Sequence, residues 1–212
     1  MSLMVQNLFN CILDGQDDEV ASVVQAVLDS GVEPSVILND GMIAAMAEVG
    51  QRFENGDYFL PEMLAAGETM QAGLAVLKPH LVGGGVASTG KVVIGSVKGD
   101  VHDIGKNLVG MMMEGAGFEV EDLGTDVSPE KFVKAVQASH PNIVALSALL
   151  LVTMPSMKAT IDALAAAGVR NSVKVMVGGA PVTEAFAQSI GADCFAPDAS
   201  RAVTMAKALV SK

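Results

Sequence analysis

Residues 91–120 read KVVIGSVKGDVHDIGKNLVGMMMEGAGFEV, and the change of hydrophobic period within them decides the fold. The β-branched run Val92-Val93-Ile94 predicts a strand. A helix-length amphipathic segment, 105–116, follows it, and a second short apolar run stands at Phe118-Glu119-Val120. Towards the C-terminus the alternation repeats: helix 129–139, strand Ile143-Val144-Ala145-Leu146, helix 155–168, strand Val173 to Val177, helix 182–190, short strand Ala192 to Phe195, helix 199–211. Five βα units in series predict an α/β domain whose parallel sheet is wrapped by helices. The flavodoxin-like (Rossmann-like) strand order 2-1-3-4-5 is expected for it.

Towards the N-terminus the period becomes helical throughout. Leu3, Leu8 and Ile12, then Val20, Val23, Val24, Val27 and Leu28, then Ile37, Ile43, Met46 and Ala47 recur at helix spacing. Gly15, Gly31 and Gly56 separate the segments, and Pro34 and Pro61 suit first helical turns. Four helices are expected, about 3–13, 17–30, 34–53 and 58–77, forming a four-helix bundle ahead of the sheet. Pro79, Gly83-Gly84-Gly85 and Ser88-Thr89-Gly90 form a run that suits neither helix nor strand. The expected organisation is a helical domain 1–82, a Gly-rich linker 83–90 and an α/β domain 91–212. Charge divides at the same place: residues 1–77 carry twelve Asp and Glu against Arg52 alone, whereas 78–212 carry twelve of each sign.

Composition excludes several classes. Half the residues are apolar and 17% are charged, which is incompatible with disorder. The longest nearly unbroken apolar stretch, Ile143 to Met154, contains Ser147 and Thr153 and falls well short of the roughly 20 residues a membrane span requires. No basic residue precedes the first apolar positions as in a secretion signal, so a cytoplasmic protein is expected. Cys11 and Cys194 exclude a disulfide scaffold and are expected to be buried small hydrophobes. A net charge of −11 opposes a nucleic-acid partner.

In a doubly wound sheet, ligands bind outside the carboxyl ends of the strands where the order reverses, here between strands one and three. Strand one ends in Lys98-Gly99-Asp100-Val101-His102-Asp103-Ile104-Gly105, strand three in Ser147-Ala148-Leu149 and strand four in Gly178-Gly179-Ala180. His102 lies in a loop two residues after Asp100. A metal-bound imidazole commonly gives its other ring N–H to a carboxylate, a part open to Asp100, while an isolated Asp-x-His is better explained by an ordinary loop hydrogen bond. One histidine does not hold a metal by itself, and His80 and His140 lie far away in the chain, so a protein-built zinc site is not expected. A single protein ligand is sufficient when the metal arrives inside a macrocycle.

Asp100-x-His102-x-x-Gly105, Ser147-x-Leu149 and Gly178-Gly179 together resemble the signature of cobalamin-binding domains of the methionine synthase type. With the preceding bundle, nearly the whole chain resembles the corrinoid proteins of methyltransferase systems for methanol and methylamines. The resemblance implies a cobalamin or related corrinoid cofactor, cycling between methylcobalamin and cob(I)alamin, with His102 as axial cobalt ligand and Asp100 as its partner. Thr153 matches a hydroxyl that extends this network, and Asp103, Ile104 and Gly105 complete the motif. Ser147 and Leu149 would line a slot for the displaced nucleotide tail, walled by Gly178 and Gly179. The bundle would act as a cap: Tyr58-Phe59-Leu60-Pro61-Glu62-Met63 resembles the family's covering helix, with Phe59 and Met63 towards the corrin, although Met and Phe at helical spacing more often fill bundle cores.

The implied role is a methyl carrier that accepts a methyl group from a substrate-specific methyltransferase and delivers it to a second methyltransferase, whose acceptor is tetrahydrofolate or a thiol. A reductive activating protein is a third expected partner. No catalytic residue or stand-alone turnover is expected. A cobalamin sensor or an adenosylcobalamin-binding mutase subunit is the alternative. A phosphorylation receiver fits poorly, since Ser147 stands where its aspartate belongs, and a dinucleotide enzyme would need a Gly-x-Gly-x-x-Gly turn after strand one.

Overall fold

The computed structural model describes residues 2–81 and 88–211. The chain divides into two compact units, Met1–Ser88 with Glu114–Gly117, and Thr89–Met113 with Phe118–Lys212.

The first unit is helical. α1 (Leu3–Leu13) is capped by Ser2, whose side chain accepts from the Val5 N–H, and α2 (Asp17–Asp29) opens on three acidic residues that suit the positive end of a helix. α3 (Pro34–Val36) begins at Pro34 and runs without a break through a π-helical stretch (Ile37–Ile43) into α4 (Ala44–Asn55). The expected third helix is thus present with a widened middle, where Gly41 lies so close to α1 that an added Cβ would sit 3.1 Å from the Leu8 side chain. α5 (Leu60–Leu81) continues through Pro79, which was expected to mark the join. Pro79 removes the bond its N–H would have made to the Ala75 carbonyl and crowds that carbonyl with its ring, yet the helix accommodates it. Leu8, Ile12, Val20, Val24, Met42, Met46, Met63, Met70 and Leu77 fill the unit's interior, as does Cys11, while Cys194 of the second unit is only half-buried.

The second unit is the predicted parallel sheet. β1 (Gly90–Ser96), β2 (Phe118–Asp122), β3 (Ile143–Ser147), β4 (Lys174–Gly178) and β5 (Cys194–Ala196) lie in the order β2-β1-β3-β4-β5. Most of the linker expected at 83–90 falls outside the described residues; its last residue, Gly90, already pairs with Phe118. The intervening helices are α6 (Ile104–Gly115), α7 (Pro129–Ser139), α8 (Pro155–Ala166), α9 (Glu184–Ile190) and, after β5, α10 (Ala199–Val210). Both sheet faces are buried, as a parallel sheet demands. One face, through Val93, Val144, Leu146, Val175 and Val177, packs with Phe132 of α7 and Met157, Ile161 and Leu164 of α8. Val92, Ile94, Ala145 and Met176, on the alternate positions, are equally buried. No helix among the described residues is long and apolar enough to cross a membrane.

Phe132 has no exposed surface and lies against Gly95, where an added Cβ would come within 2.9 Å of its ring. Truncation of Phe132 to Ala leaves a cavity that cannot collapse onto a glycine. We expect Phe132→Ala to lower stability by about 3–5 kcal/mol in a urea titration followed by circular dichroism; a loss below about 1 kcal/mol would be inconsistent with this packing.

Candidate functional site

The loop after β1 is organised around one buried carboxylate. A turn closes from Val97 to Asp100, whose N–H donates to the Val97 carbonyl (2.9 Å). Gly99 occupies its third position at φ +85°, a conformation that side chains rarely adopt. Asp100 then lies fully buried. Its Oδ1 accepts from His102 Nδ1 (2.8 Å) and from the His102 N–H (3.1 Å). Its Oδ2 accepts from the Leu149 N–H (2.8 Å), the Leu150 N–H (3.3 Å) and the Thr153 hydroxyl (2.6 Å). Burial alone would push this carboxyl up, but the donors from Thr153, Leu149 and His102 outweigh it and hold it well below the usual carboxylate range.

An ionised Asp100 has no proton to offer, so His102 Nδ1 carries the hydrogen of this bond, and Nε2 is the ring nitrogen left for another partner. The His102 side chain is 44% exposed. Exposed apolar side chains occupy both segments that meet at Asp100: Val101 beside His102 and Ile104 at the start of α6, and Leu149, Leu150, Leu151 and Val152 in the turn that follows β3. An apolar rim of this kind beside one oriented imidazole suits a large, flat, largely apolar ligand better than a hydrated ion. Among the described residues no group of three or more His, Cys, Asp or Glu is placed to hold a metal. The chemistry of this donor set therefore fits a metal that brings its own equatorial ligands.

The strand register places the remaining residues. Ser96 of β1 aligns with Ser147, Ser147 with Gly178 and Gly178 with Ala196, so four small residues form a row across the carboxyl ends of β1, β3, β4 and β5. Ser147 is half-buried. Asp103 is exposed, and its carbonyl accepts from the Asn107 N–H (2.7 Å) where α6 opens. An added Cβ on Gly105 would meet nothing within 4 Å. Gly179 differs: its φ is +131°, and a Cβ there would lie 1.9 Å from the Ala148 carbonyl oxygen. Its lack of a side chain is thus required by the chain's own backbone. Gly178 is intermediate, with a Cβ position 3.0 Å from the Ala196 carbonyl oxygen.

On α5 the structure separates two residues expected to act together. Phe59, just before the helix, is 65% exposed, whereas Met63 is fully buried. Met63 therefore has no surface to offer a cofactor in this structure and fills interior space instead. Sequence reasoning also passed over Ser96, which is fully buried and donates from Oγ to the His102 carbonyl (2.6 Å). A hydroxyl ending an otherwise apolar strand was the available signal. Lys106, buried in the first turn of α6, pairs with Asp122 and donates to Asn107 Oδ1 (2.7 Å), tying the start of α6 to the end of β2.

Comparison with known proteins agrees with this geometry. Residues 90–204 match the family described as B12 binding domain, and residues 4–78 match a second family of the same description. The fold and site thus define a B12-binding α/β module preceded by its helical companion. The chain is 43% identical over 209 residues, 98% of each chain, to the dimethylamine corrinoid protein of Methanosarcina barkeri. It is also 43% identical over 201 residues, 94% of this chain and 93% of the other, to trimethylamine corrinoid protein 1 of Methanosarcina mazei. Among solved structures, a chain of the methanol:cobalamin methyltransferase complex from Methanosarcina barkeri superposes with a TM-score of 0.88 at 29% identity, covering 98% of this chain and 80% of that one. The chain belongs to the corrinoid proteins of methylamine and methanol methyltransferase systems, and its cofactor is a corrinoid.

The two glycine environments can be told apart without cofactor. Gly179→Ala should lower the melting temperature of the corrinoid-free protein by several degrees or abolish folding, while Gly105→Ala should leave it unchanged. Equal melting temperatures for Gly179→Ala and wild type would refute the close approach to Ala148.

Proposed function

We propose that this chain is a methyl carrier, working in the cytoplasm, in which His102 is the axial ligand to the cobalt of the bound corrinoid. The observation that carries the reading is the His102 ring itself: Nδ1 is committed to a buried, ionised Asp100, and Nε2 is left as the ligating nitrogen amid an exposed apolar rim. When bound, the corrinoid supplies a cobalt centre that is methylated by one partner and demethylated by another. The protein's own residues bind and orient. Asp100 raises the donor strength of the imidazole and fixes its tautomer, and Thr153 with the Leu149 and Leu150 amides keeps Asp100 charged. The row Ser96, Ser147, Gly178 and Ala196 leaves the carboxyl edge of the sheet free of bulky side chains, which supports a slot for the cofactor's nucleotide tail lined by Ser147 and Leu149.

The partners of this reading are a methyltransferase that loads the cofactor, a second that unloads it to tetrahydrofolate or a thiol, and a reductive activating protein. Support comes from the relatives, whose names pair them with dimethylamine and trimethylamine, and from the methanol:cobalamin methyltransferase complex. Two relatives of equal identity name different amines, so methylamines as a class are the donor we assign. The organisation that goes with this role is a helical cap, 1–82, a linker, 83–90, and a cofactor domain, 91–212. Phe59, exposed at the start of α5, is the cap residue we assign to the corrin.

Two measurements test the proposal. His102→Ala should retain corrinoid through the tail slot but lose the absorption spectrum of histidine-ligated cobalt; an unchanged spectrum removes His102 from its role. The methylated holoprotein, mixed with a methylamine-type second methyltransferase and either folate or thiol acceptor, should lose its methyl group. Persistent inertness would favour a cobalamin sensor instead.

A further inference from the structure

The loop that carries Asp100 and His102 is gripped from outside by one residue of the β2–α7 connection. Asp126 is one of only two non-glycine residues with positive φ among those described, at +51°. Its N–H donates to the Asp100 carbonyl (2.8 Å), and its Oδ1 accepts from the Gly99 N–H (2.8 Å). Lys98, the second residue of the same turn, places its ammonium 3.0 Å from that carboxylate. Asp126 therefore holds the peptide groups on both sides of the Gly99-Asp100 bond, with a side-chain acceptor at one and a main-chain donor at the other. The next residue, Val127, bridges to Val97 and donates its N–H to the Ser96 carbonyl (2.9 Å), which anchors the clamp to the end of β1.

The left-handed backbone belongs to the same device. Away from glycine this conformation is uncommon, and asparagine and aspartate tolerate it best because their short polar side chains bond locally. A non-glycine residue kept there, with both its amide and its carboxylate spent on one neighbouring turn, is an outlier that points to a function. The turn it holds is the one that buries Asp100. A turn free to open would let Asp100 leave its five donors and release the His102 ring from its fixed orientation.

We infer that Asp126 is a positioning residue that holds the Lys98–Asp103 loop closed and thereby fixes the His102 imidazole for ligation. This inference rests on the reading of His102 as the cobalt ligand. The bonds of Asp126 go to Gly99, Asp100 and Lys98, so it acts on the ring through the loop.

The test uses the full chain and two variants. Asp126→Gly accepts the backbone conformation and so should fold, but it loses the carboxylate. Asp126→Asn keeps an oxygen acceptor and tolerates the same φ. In corrinoid-free protein, hydrogen exchange at residues 99–102 should be about ten-fold faster in Asp126→Gly, the order expected when a charge-assisted bond is removed, with β4 unchanged. In hydroxocobalamin-loaded protein the histidine-ligated fraction, read from the absorption spectrum, should fall about three-fold or more while total bound corrinoid is kept. Asp126→Asn should restore both readings to within about two-fold of wild type.

Unchanged exchange at 99–102 in Asp126→Gly overturns the inference, as does an unchanged ligated fraction. Equal loss in Asp126→Asn and Asp126→Gly overturns it too. A wild-type spectrum identical to that of His102→Ala overturns the ligation reading instead, and the exchange measurement then decides the loop clamp alone.

Discussion

An ionised carboxylate with no exposed surface is expensive unless every lone pair is used, and Asp100 uses both oxygens on five donors. Those donors come from two chain segments about fifty residues apart, the loop after β1 and the turn after β3. Neither segment has regular structure to hold it. Both are held in part because leaving Asp100 unsatisfied would cost more than ordering them. The orientation of the His102 ring and of the Thr153 hydroxyl is set by bonds to that one buried charge.

The parallel sheet makes such a charge possible. Adjacent strands β1 and β3 end level with one another, Ser96 opposite Ser147, so the loops leaving them start from the same height and converge. The chain order reverses between them, with β2 on one side and β4 on the other, which leaves the gap above free of a crossing connection. Small side chains along the strand ends keep this edge open. Bulk returns one layer below, where Val93, Val144, Leu146, Val175 and Val177 seal the core against Phe132 and Met157. Rigid sheet beneath and bonded loop above together give an imidazole whose direction is set before any ligand arrives.

Much of this was legible because it is periodic or local. The alternation of β-branched runs with amphipathic segments identified all five strands and their helices, and the two-residue spacing of Asp100 and His102 allowed a side-chain contact that depends on little else. The departures share a cause. The π-helical stretch at Ile37–Ile43 carries Gly41 against the Leu8 side chain of α1, and α5 runs on through Pro79 as part of a packed unit. Met63 and Phe59 have similar hydropathy and helical spacing, yet one is fully buried and the other exposed, a difference that depends on what packs beside them. At Gly179, a glycine suited to lining a ligand turns out to be demanded by the Ala148 carbonyl.

The amino-acid order by itself determined the class of fold, the strand order, the helices ahead of the sheet and the two-residue spacing of Asp100 and His102, because hydrophobic period and motif spacing are properties of neighbours in the chain. Tertiary structure alone decided that Asp100 has five donors, that Ser96 and Asp126 hold the loop, and that Gly179 faces a backbone carbonyl. Apart from the two bonds from His102 to Asp100, those contacts join residues between 6 and 53 positions apart, as from Ser96 to His102 and from Asp100 to Thr153. A hydrogen bond requires two atoms within about 3 Å, a condition that the separation of residues along a folded chain does not specify.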